Sequence, residues 1–327
     1  MQIRPATADD LDEMLALAES TFRGSRLPYT KEVWSWKHEA NPFGQSPTLL
    51  MLDDDRIVGL RTFLRWQWRS GARTLSAVRA VDTATASDYR GRGIFSSLTR
   101  ALLTATEAEG VDFVFNTPNP KSRAGYLKMG WVDVMRLPLW LTPGRPWATV
   151  ASSGHEMERA SDRLKHILRD PSFASWLDDR MSEDRGIPLR TPLDAHFLTW
   201  RYLHVPGLLY GGEWAAGEHG AFIVYEVNQR GRWVEGRVVE LVVGPGQRAI
   251  RSAARLLRRL RRRLPVHALS AICRVDTREA LALALGGFMP VGRRGPQMTV
   301  RLLRDVPAPD PRRASSWSCS AGDMELF

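Results

Sequence analysis

One stretch restricts the fold of this chain more than any other: "TASDYRGRGIFSSLTRALL", Thr85 to Leu103. A long β-like run, "TLSAVRAVDTATA", leads into it. Beyond it, Ile94, Leu98, Leu102 and Ala105 recur every three or four residues, the spacing of a helix with one apolar face. A strand that passes through a glycine loop into a helix is an element of α/β architecture. It also makes an anion site, because the helix start presents unpaired amides and a partial positive charge. Glycines let the backbone approach phosphate oxygens with no Cβ in the way. Arg90 and Arg92 add charge-assisted contacts worth about 1.5–3 kcal/mol each where desolvated. The expected ligand is a pyrophosphate. No GK[ST] follows, so the loop is not a Walker loop, and its glycines do not fit GxGxxG.

The flanking sequence predicts a mixed α/β domain of about 140 residues. A strand "QIRPA" precedes a helix in "TADDLDEMLALAESTF", with Thr7 as candidate N-cap. "TLLML" and "RIVGLRTFL" read as strands around the turn Asp53-Asp54-Asp55. After the loop and its helix come a buried strand "VDFVFN", a short helix "KSRAGYLKMG" stopped by Gly130, and one more strand "WVDVMRLPLW". The order is β-α-β-β-β-α-β-α-β.

Residues 141–160 contain Pro143, Gly144, Pro146, Ser152, Ser153 and Gly154 and read as a linker. A faint repeat follows. "WSWKHEANP" and "LTWRYLHVP" each place a basic residue after Trp36 or Trp200 and a proline six positions after that tryptophan. Gly130-Trp131 and Gly287-Phe288 close matching runs, 94 and 87 residues beyond those tryptophans. The expected organisation is two tandem copies of one fold, 1–140 and 161–305, with a loosely held tail over 306–327. The second copy is degenerate, since "VVGPGQRAI" stands where the first has "DYRGRGIF". Its next helix carries arginines at 248, 251, 255, 258, 259, 261, 262 and 263, opposite a stripe of Ala253, Ala254, Leu256, Leu257 and Leu260.

Composition excludes more than it assigns. No run of 18 apolar residues is present, so no membrane span is expected. "MQIRPATADDLDEML" has no basic segment followed by an apolar one, and Cys273 and Cys319 have no metal or redox spacing. These features predict free thiols, no metal site and a cytoplasmic protein. The net charge of +10 would suit nucleic acid, but only five of the 46 basic residues are lysine. Codon bias toward arginine accounts for that as well as a polyanion would.

Two blocks then resemble a known family. Arg90-Gly91-Arg92-Gly93-Ile94-Phe95 is similar to the acyl-CoA loop of the GCN5-related N-acetyltransferases (GNAT), written [QR]-x-x-G-x-[GA]. "NPKSRAGYLKMGW", Asn119 to Trp131, resembles the block N-x6-Y-x3-G-F of that family, with Trp131 in the Phe place. The element order is also the family's. The resemblance covers 1–137 well and 190–303 weakly, and implies a mixed-sheet acyl-CoA N-acyltransferase (GNAT) fold in two tandem copies. One departure stands out: Phe95 occupies the last Gly/Ala place.

The resemblance implies acetyl-CoA as cosubstrate and an amine-bearing acceptor, with direct acyl transfer. The strand end Thr83, Ala84 and Thr85 would pair with the pantetheine arm, or be plain sheet. Arg90, Gly91, Arg92, Gly93, Ile94 and Phe95 would cradle the pyrophosphate. Tyr126 holds the place of the general acid that protonates the departing thiolate, or packs between helix and sheet. Asn119 either binds cofactor or caps the helix beginning at Pro120. Asp82, near the end of the strand, is the candidate general base, or the partner of a nearby cation. Trp34, Trp36, Trp66 and Trp68 suit an acceptor pocket or the core. Two further readings stand beside the enzyme: a non-catalytic GNAT-fold structural protein, favoured by Phe95, and a nucleic-acid-binding module using the arginine-rich helix.

Overall fold

The computed structural model describes residues 1–22, 24–146, 150–183, 188–292 and 294–324. The first half runs β1 (Gln2–Pro5), α1 (Leu11–Thr21), α2 (Lys31–Trp34), β2 (Thr48–Asp53), β3 (Arg56–Ser70), β4 (Arg73–Thr85), α3 (Ile94–Ala108), β5 (Phe113–Asn116), α4 (Pro120–Lys128), β6 (Val132–Arg136) and β7 (Leu139–Pro143). The second runs α5 (Val150–Arg169), α6 (Pro171–Glu183), α7 (Ala195–Tyr202), β8 (Tyr210–Ala215), β9 (Ala221–Arg230) and β10 (Trp233–Val243). It closes with α8 (Gly246–Arg263), β11 (Ala268–Ile272), α9 (Arg278–Leu285), β12 (Met289–Pro290) and β13 (Gln297–Leu302). No described helix is long and apolar enough to cross a membrane.

The strands form two mixed sheets, ordered β1-β2-β3-β4-β5-β13-β6 and β12-β7-β11-β10-β9-β8. Both contain an antiparallel trio, β2-β3-β4 and β8-β9-β10. In both, the trio's last strand pairs in parallel with the next, β4 with β5 and β10 with β11. The remaining places are filled by exchange. β13, from the end of the chain, lies antiparallel between β5 and β6. β7, which follows β6 directly, lies antiparallel between β11 and β12. Each sheet therefore takes its penultimate strand from the other half of the sequence.

This exchange corrects three expectations. "WVDVMRLPLW" is two strands on two sheets. Pro138 lacks the N–H a ladder needs, and the chain turns there, leaving Leu137 fully buried. The expected linker over 141–160 is, in its described residues, the end of β7, a short connection over 144–146 and the first turns of α5. The tail is core rather than loose chain: Trp317 is fully buried, its indole N–H donates to Pro311 C=O (2.7 Å), and its ring meets Trp68 edge-on at 4.6 Å. An aromatic anchor of this size outweighs the turn-forming residues around it.

Between the sheets, the two repeated tryptophans meet. Trp36 lies in a π-helical turn, Ser35–Glu39, that continues α2; Trp200 lies in α7. Their rings stack at 5.5 Å. Each indole N–H donates to the other residue's carbonyl, both at 2.7 Å. The arginine-rich α8 buries Ala253, Ala254, Leu257 and Leu260 and turns Arg248, Arg251, Arg255, Arg258 and Arg262 to solvent. That is the pattern of an amphipathic helix covering a sheet.

Exchange makes each half dependent on the other. A fragment of residues 1–145 lacks β13, which supplies four residue pairs to β5 and four to β6. Its exposed strand edges and uncovered core should prevent a cooperative fold. Urea denaturation followed by tryptophan fluorescence should show a sloping signal; a sharp transition like that of the full chain would contradict this.

Candidate active site

The site is made by two strands that part. β4 and β5 pair only over Ala77–Arg79 and Phe113–Phe115, although β4 continues to Thr85. A bulge places Asp82 outside the β3–β4 register, between Thr62↔Val81 and Arg61↔Thr83, with φ of +37°. Bulges bend and twist a strand. β4 leaves β5 here, and its edge beyond Arg79 has no strand partner on that side. The wedge holds a cavity of about 490 Å³, lined by Asp82, Thr83, Asn119 and Tyr126 together with Trp34, Lys37, His38, Arg61, Arg79 and others.

Asp82 is buried, and three donors converge on it. Lys37 Nζ lies 2.7 Å and His38 Nε2 2.9 Å from Oδ2, and the Tyr29 hydroxyl donates to Oδ1 at 2.9 Å. Burial would raise its pKa, but Lys37 and His38 overcome this and hold it well below the usual carboxylate range. A carboxylate so satisfied is a poor proton acceptor. Through these contacts Asp82 ties the α2 π-turn to the β4 bulge.

β4 leads from the cavity to the glycine loop. Ala86 N–H donates to Val58 C=O (3.0 Å), a single turn Ser87–Tyr89 follows, and Gly91 and Gly93 both take φ of +79°. Gly93 is the N-cap of α3 and no side chain caps the helix. A Cβ at Gly91 or Gly93 would meet nothing within 4 Å. These glycines serve the left-handed backbone, and the space before them is open. Arg90 and residues 91–93 are exposed. Arg92 lies over the Tyr89 ring (4.5 Å), and Arg56 neutralises Asp88 (2.8 Å), so no uncompensated acid faces the loop from that residue. Ala84 and Ile94 are buried by side chain and can offer only backbone.

Phe95 does not stand before the loop. Its ring packs edge-on against Tyr126 at 5.4 Å. Tyr126 is buried, projects from α4 into the cavity wall, and accepts a hydrogen bond from Arg61 Nη2 at 2.8 Å. Asn119 is the α4 N-cap, its Oδ1 accepting from Ser122 N–H (2.9 Å). The cap is thus occupied, at the rim of the cavity. Of the four tryptophans, Trp34 lines the cavity; Trp66 and Trp68 belong to the core, and Trp36 to the seam with Trp200. The sequence reading missed Arg61, Lys37 and His38. A charged residue inside the apolar strand "RIVGLRTFL" was the available signal for Arg61.

The second sheet has a corresponding wedge. β10 and β11 pair only from Glu235 to Val238, and a bulge follows before Glu240. The chain's own tail fills it. Gly322 N–H donates to Val239 C=O (2.9 Å), and Cys319, Ser320 and Asp323 sit between the strands, leaving about 70 Å³. A Cβ on Gly322 would come within 2.1 Å of Glu240 Oε1. Asp323 C=O also accepts from Arg79 Nη1 (2.7 Å), so the tail braces the wall of the first wedge. Both cysteines are buried and free. No group of three or more His, Cys, Asp or Glu among the described residues could hold a metal ion.

The filled wedge is pH-sensitive. Burial, then the neighbouring Asp323 carboxyl, push Glu240 up to about 8, and burial also raises Asp323. The folded protein holds a proton that the unfolded chain releases above its ordinary carboxyl range. Stability is therefore full at low pH within this range and falls as pH rises from about 4.5 to about 8. Glu240→Gln keeps an acceptor for the Tyr202 hydroxyl, which donates to Oε1 at 2.6 Å, and removes the titration. Melting temperatures measured between roughly pH 5 and 8 should fall less in this variant than in the parent; parallel profiles would contradict the assignment.

The family model described as acetyltransferase (GNAT) domain matches residues 2–133. No curated protein sequence matches the chain. A GCN5-related N-acetyltransferase from Anabaena variabilis is similar in structure, with TM-score 0.64 and 14% identity over 93% of this chain and 73% of that one. One from Kribbella flavida gives 0.61 and 16% over 92% and 72%. Saccharomyces cerevisiae N-myristoyltransferase with bound myristoyl-CoA gives 0.51 and 9% over 91% and 82%. At these identities the structures establish a shared fold. Residues 2–133 match the sequence model of a GNAT acetyltransferase domain, and the chain shares its fold with these acyltransferases.

Proposed function

We propose that the first wedge binds one acyl-CoA, acetyl-CoA in the simplest case, and transfers the acyl group directly to a primary amine. The observation that carries this reading is the unpaired edge of β4, which connects an open cavity at Tyr126 to an uncapped helix start at Gly93. The β4 edge at Thr83–Thr85 offers backbone groups to the pantetheine amides. The amides of Gly91, Gly93, Ile94 and Phe95, with Arg90 and Arg92, meet the pyrophosphate. The thioester then lies beside Tyr126. The bound myristoyl-CoA of the yeast enzyme supports the cosubstrate class and leaves acyl length to experiment.

In this reading the amine attacks the thioester carbonyl and the C–S bond breaks. Tyr126 gives its phenolic proton to the leaving sulfur. Asp82 is the one carboxylate among the described residues lining the cavity, and it is committed to Lys37, His38 and Tyr29. The amine's proton therefore leaves by way of solvent.

A single site is expected, because the second wedge is filled by residues 319–323. Calorimetry with acetyl-CoA should give one mole bound per mole of chain; two equal sites would overturn the reading. Gly93→Val forces a β-branched residue into the left-handed region and aims its methyls into the open space before the loop. Strain of about 1–2 kcal/mol at the amides that meet the pyrophosphate should weaken acetyl-CoA at least tenfold, about 1.4 kcal/mol, in a folded variant. An unchanged Kd would count against the anion site.

Tyr126→Phe removes one oxygen and keeps the ring against Phe95. Steady-state kinetics should show kcat and kcat/KM falling together by about 10²–10⁴, with acetyl-CoA affinity unchanged. A rate within a few-fold of the parent would return Tyr126 to a packing role.

A further inference from the structure

Arg61 lines the cavity wall beside Tyr126. It is fully buried on β3. Its guanidinium donates to the Tyr126 hydroxyl oxygen at 2.8 Å and, more distantly, to Val81 C=O at 3.4 Å. Among the described residues no carboxylate pairs with it, and its Nε has no hydrogen-bond partner. Three rings surround the charge: Phe63 at 5.0 Å, and Phe95 and Tyr126 at 5.5 Å each. Burying a cation without a counter-ion is costly, and aromatic faces offset only part of it. Asp82 stands one bulge away on the adjacent strand, and its three donors are others.

We propose that Arg61 is a positioning residue for the acid step, fixing the Tyr126 proton toward the leaving sulfur and holding the charge left on its oxygen. The inference rests on the reading of Tyr126 as general acid. A guanidinium only donates. The Tyr126 oxygen therefore accepts from Arg61, and its own O–H points to some other acceptor. In the wedge that acceptor is the thiolate. As the amine nitrogen bonds to the carbonyl carbon, the C–S electron pair passes to sulfur. The Tyr126 proton follows, giving free CoA thiol and a tyrosinate. The tyrosinate lies against a fixed positive charge, both groups being buried, where such an interaction is strong. The proton shed by the acylated nitrogen restores the phenol through solvent. Phe95 takes part by covering the guanidinium, which gives the bulky residue at the end of the loop a reason to be there.

A double-mutant cycle tests this. Arg61→Met, Arg61→Lys, Tyr126→Phe and Arg61→Met/Tyr126→Phe are compared by thiol release from acetyl-CoA, using the best acceptor from a panel of amino sugars, polyamines, amino acids and a free-N-terminus peptide. Acetyl-CoA Kd and melting temperature are measured alongside. Arg61→Met should lower kcat about 10- to 100-fold with Kd within about twofold. In the Tyr126→Phe background the same change should cost little, because Arg61 acts through that hydroxyl. Arg61→Lys, which keeps a charge but loses the planar fork, should fold and fall between; it carries the test should Arg61→Met not fold. An Arg61 variant that keeps full kcat, or loses as much without the hydroxyl as with it, overturns the inference and leaves Tyr126 as acid. Full activity in Tyr126→Phe overturns the parent reading instead. Absence of acetyl-CoA turnover in the parent protein overturns both.

Discussion

The geometry of the site depends on one buried carboxylate in a bulged strand. Asp82 takes φ of +37°, a conformation that costs a non-glycine residue about 1–3 kcal/mol. The contacts of its carboxylate with Lys37, His38 and Tyr29 offset that strain. They also join three segments that the chain order keeps apart: β4, the π-turn after α2, and the segment before α2. A π-turn inserts an extra residue into the helical path, and here two successive side chains, Lys37 and His38, reach one carboxylate oxygen. Where β4 is held by this cluster it cannot continue along β5. The wedge, the unpaired edge and the approach to the glycine loop all follow from that departure.

The second sheet repeats the order, the strand senses and the bulge of the first, and we read it as a diverged copy. The strand exchange then has a physical logic. Each copy's penultimate strand is the most economical bridge, because it is central enough to be paired on both sides. A sheet missing it would expose two edges at once. The Trp36–Trp200 pair, with equivalent hydrogen bonds in both directions, is what a contact across an approximate two-fold axis looks like. The six-residue Trp-to-Pro intervals in the sequence are the trace of that contact.

What the sequence disclosed was local. The loop, the α3 periodicity and the Asn119–Trp131 block are each written within about twenty residues, and the order of elements is a succession of such local patterns. The structure finds those elements in place. What it withheld was non-local. Nothing near Gln297–Leu302 says that this strand belongs between Phe113–Asn116 and Val132–Arg136 rather than beside its own neighbours. The tail reads as Pro, Ser and Arg, yet Trp317, Cys319, Ala321 and Met324 pack inside, because a ready-made cleft receives them. Asp82 was correctly seen at the end of its strand, but its chemistry depends on Lys37 and His38, 45 and 44 positions earlier. A spacing of that kind carries no pattern. Asn119 could be read as cap or ligand from sequence alone, and the bond to Ser122 N–H shows the cap.

The two wedges have diverged through charge as much as shape. The first is lined by Lys37, Arg61 and Arg79 against one carboxylate, Asp82, and ends at a loop with two arginines and two left-handed glycines. Its field favours phosphates and the negative sulfur and oxygen that form during acyl transfer. The second brings Glu240 and Asp323 together: burial and the Asp323 carboxyl raise Glu240, and burial raises Asp323. A polyanionic cofactor would add charge to that pair. The helix start beyond it has Pro245 and Gly246 in place of an arginine loop. Gly322 of the tail satisfies the β10 edge with its backbone amide and has no Cβ to clash with Tyr202 and Glu240. The same skeleton thus supports two opposite outcomes: an open, positive cleft that can exchange a ligand, and a closed one whose ligand is the chain itself. Because Asp323 also reaches Arg79 through its carbonyl, closing the second wedge stiffens the wall of the first.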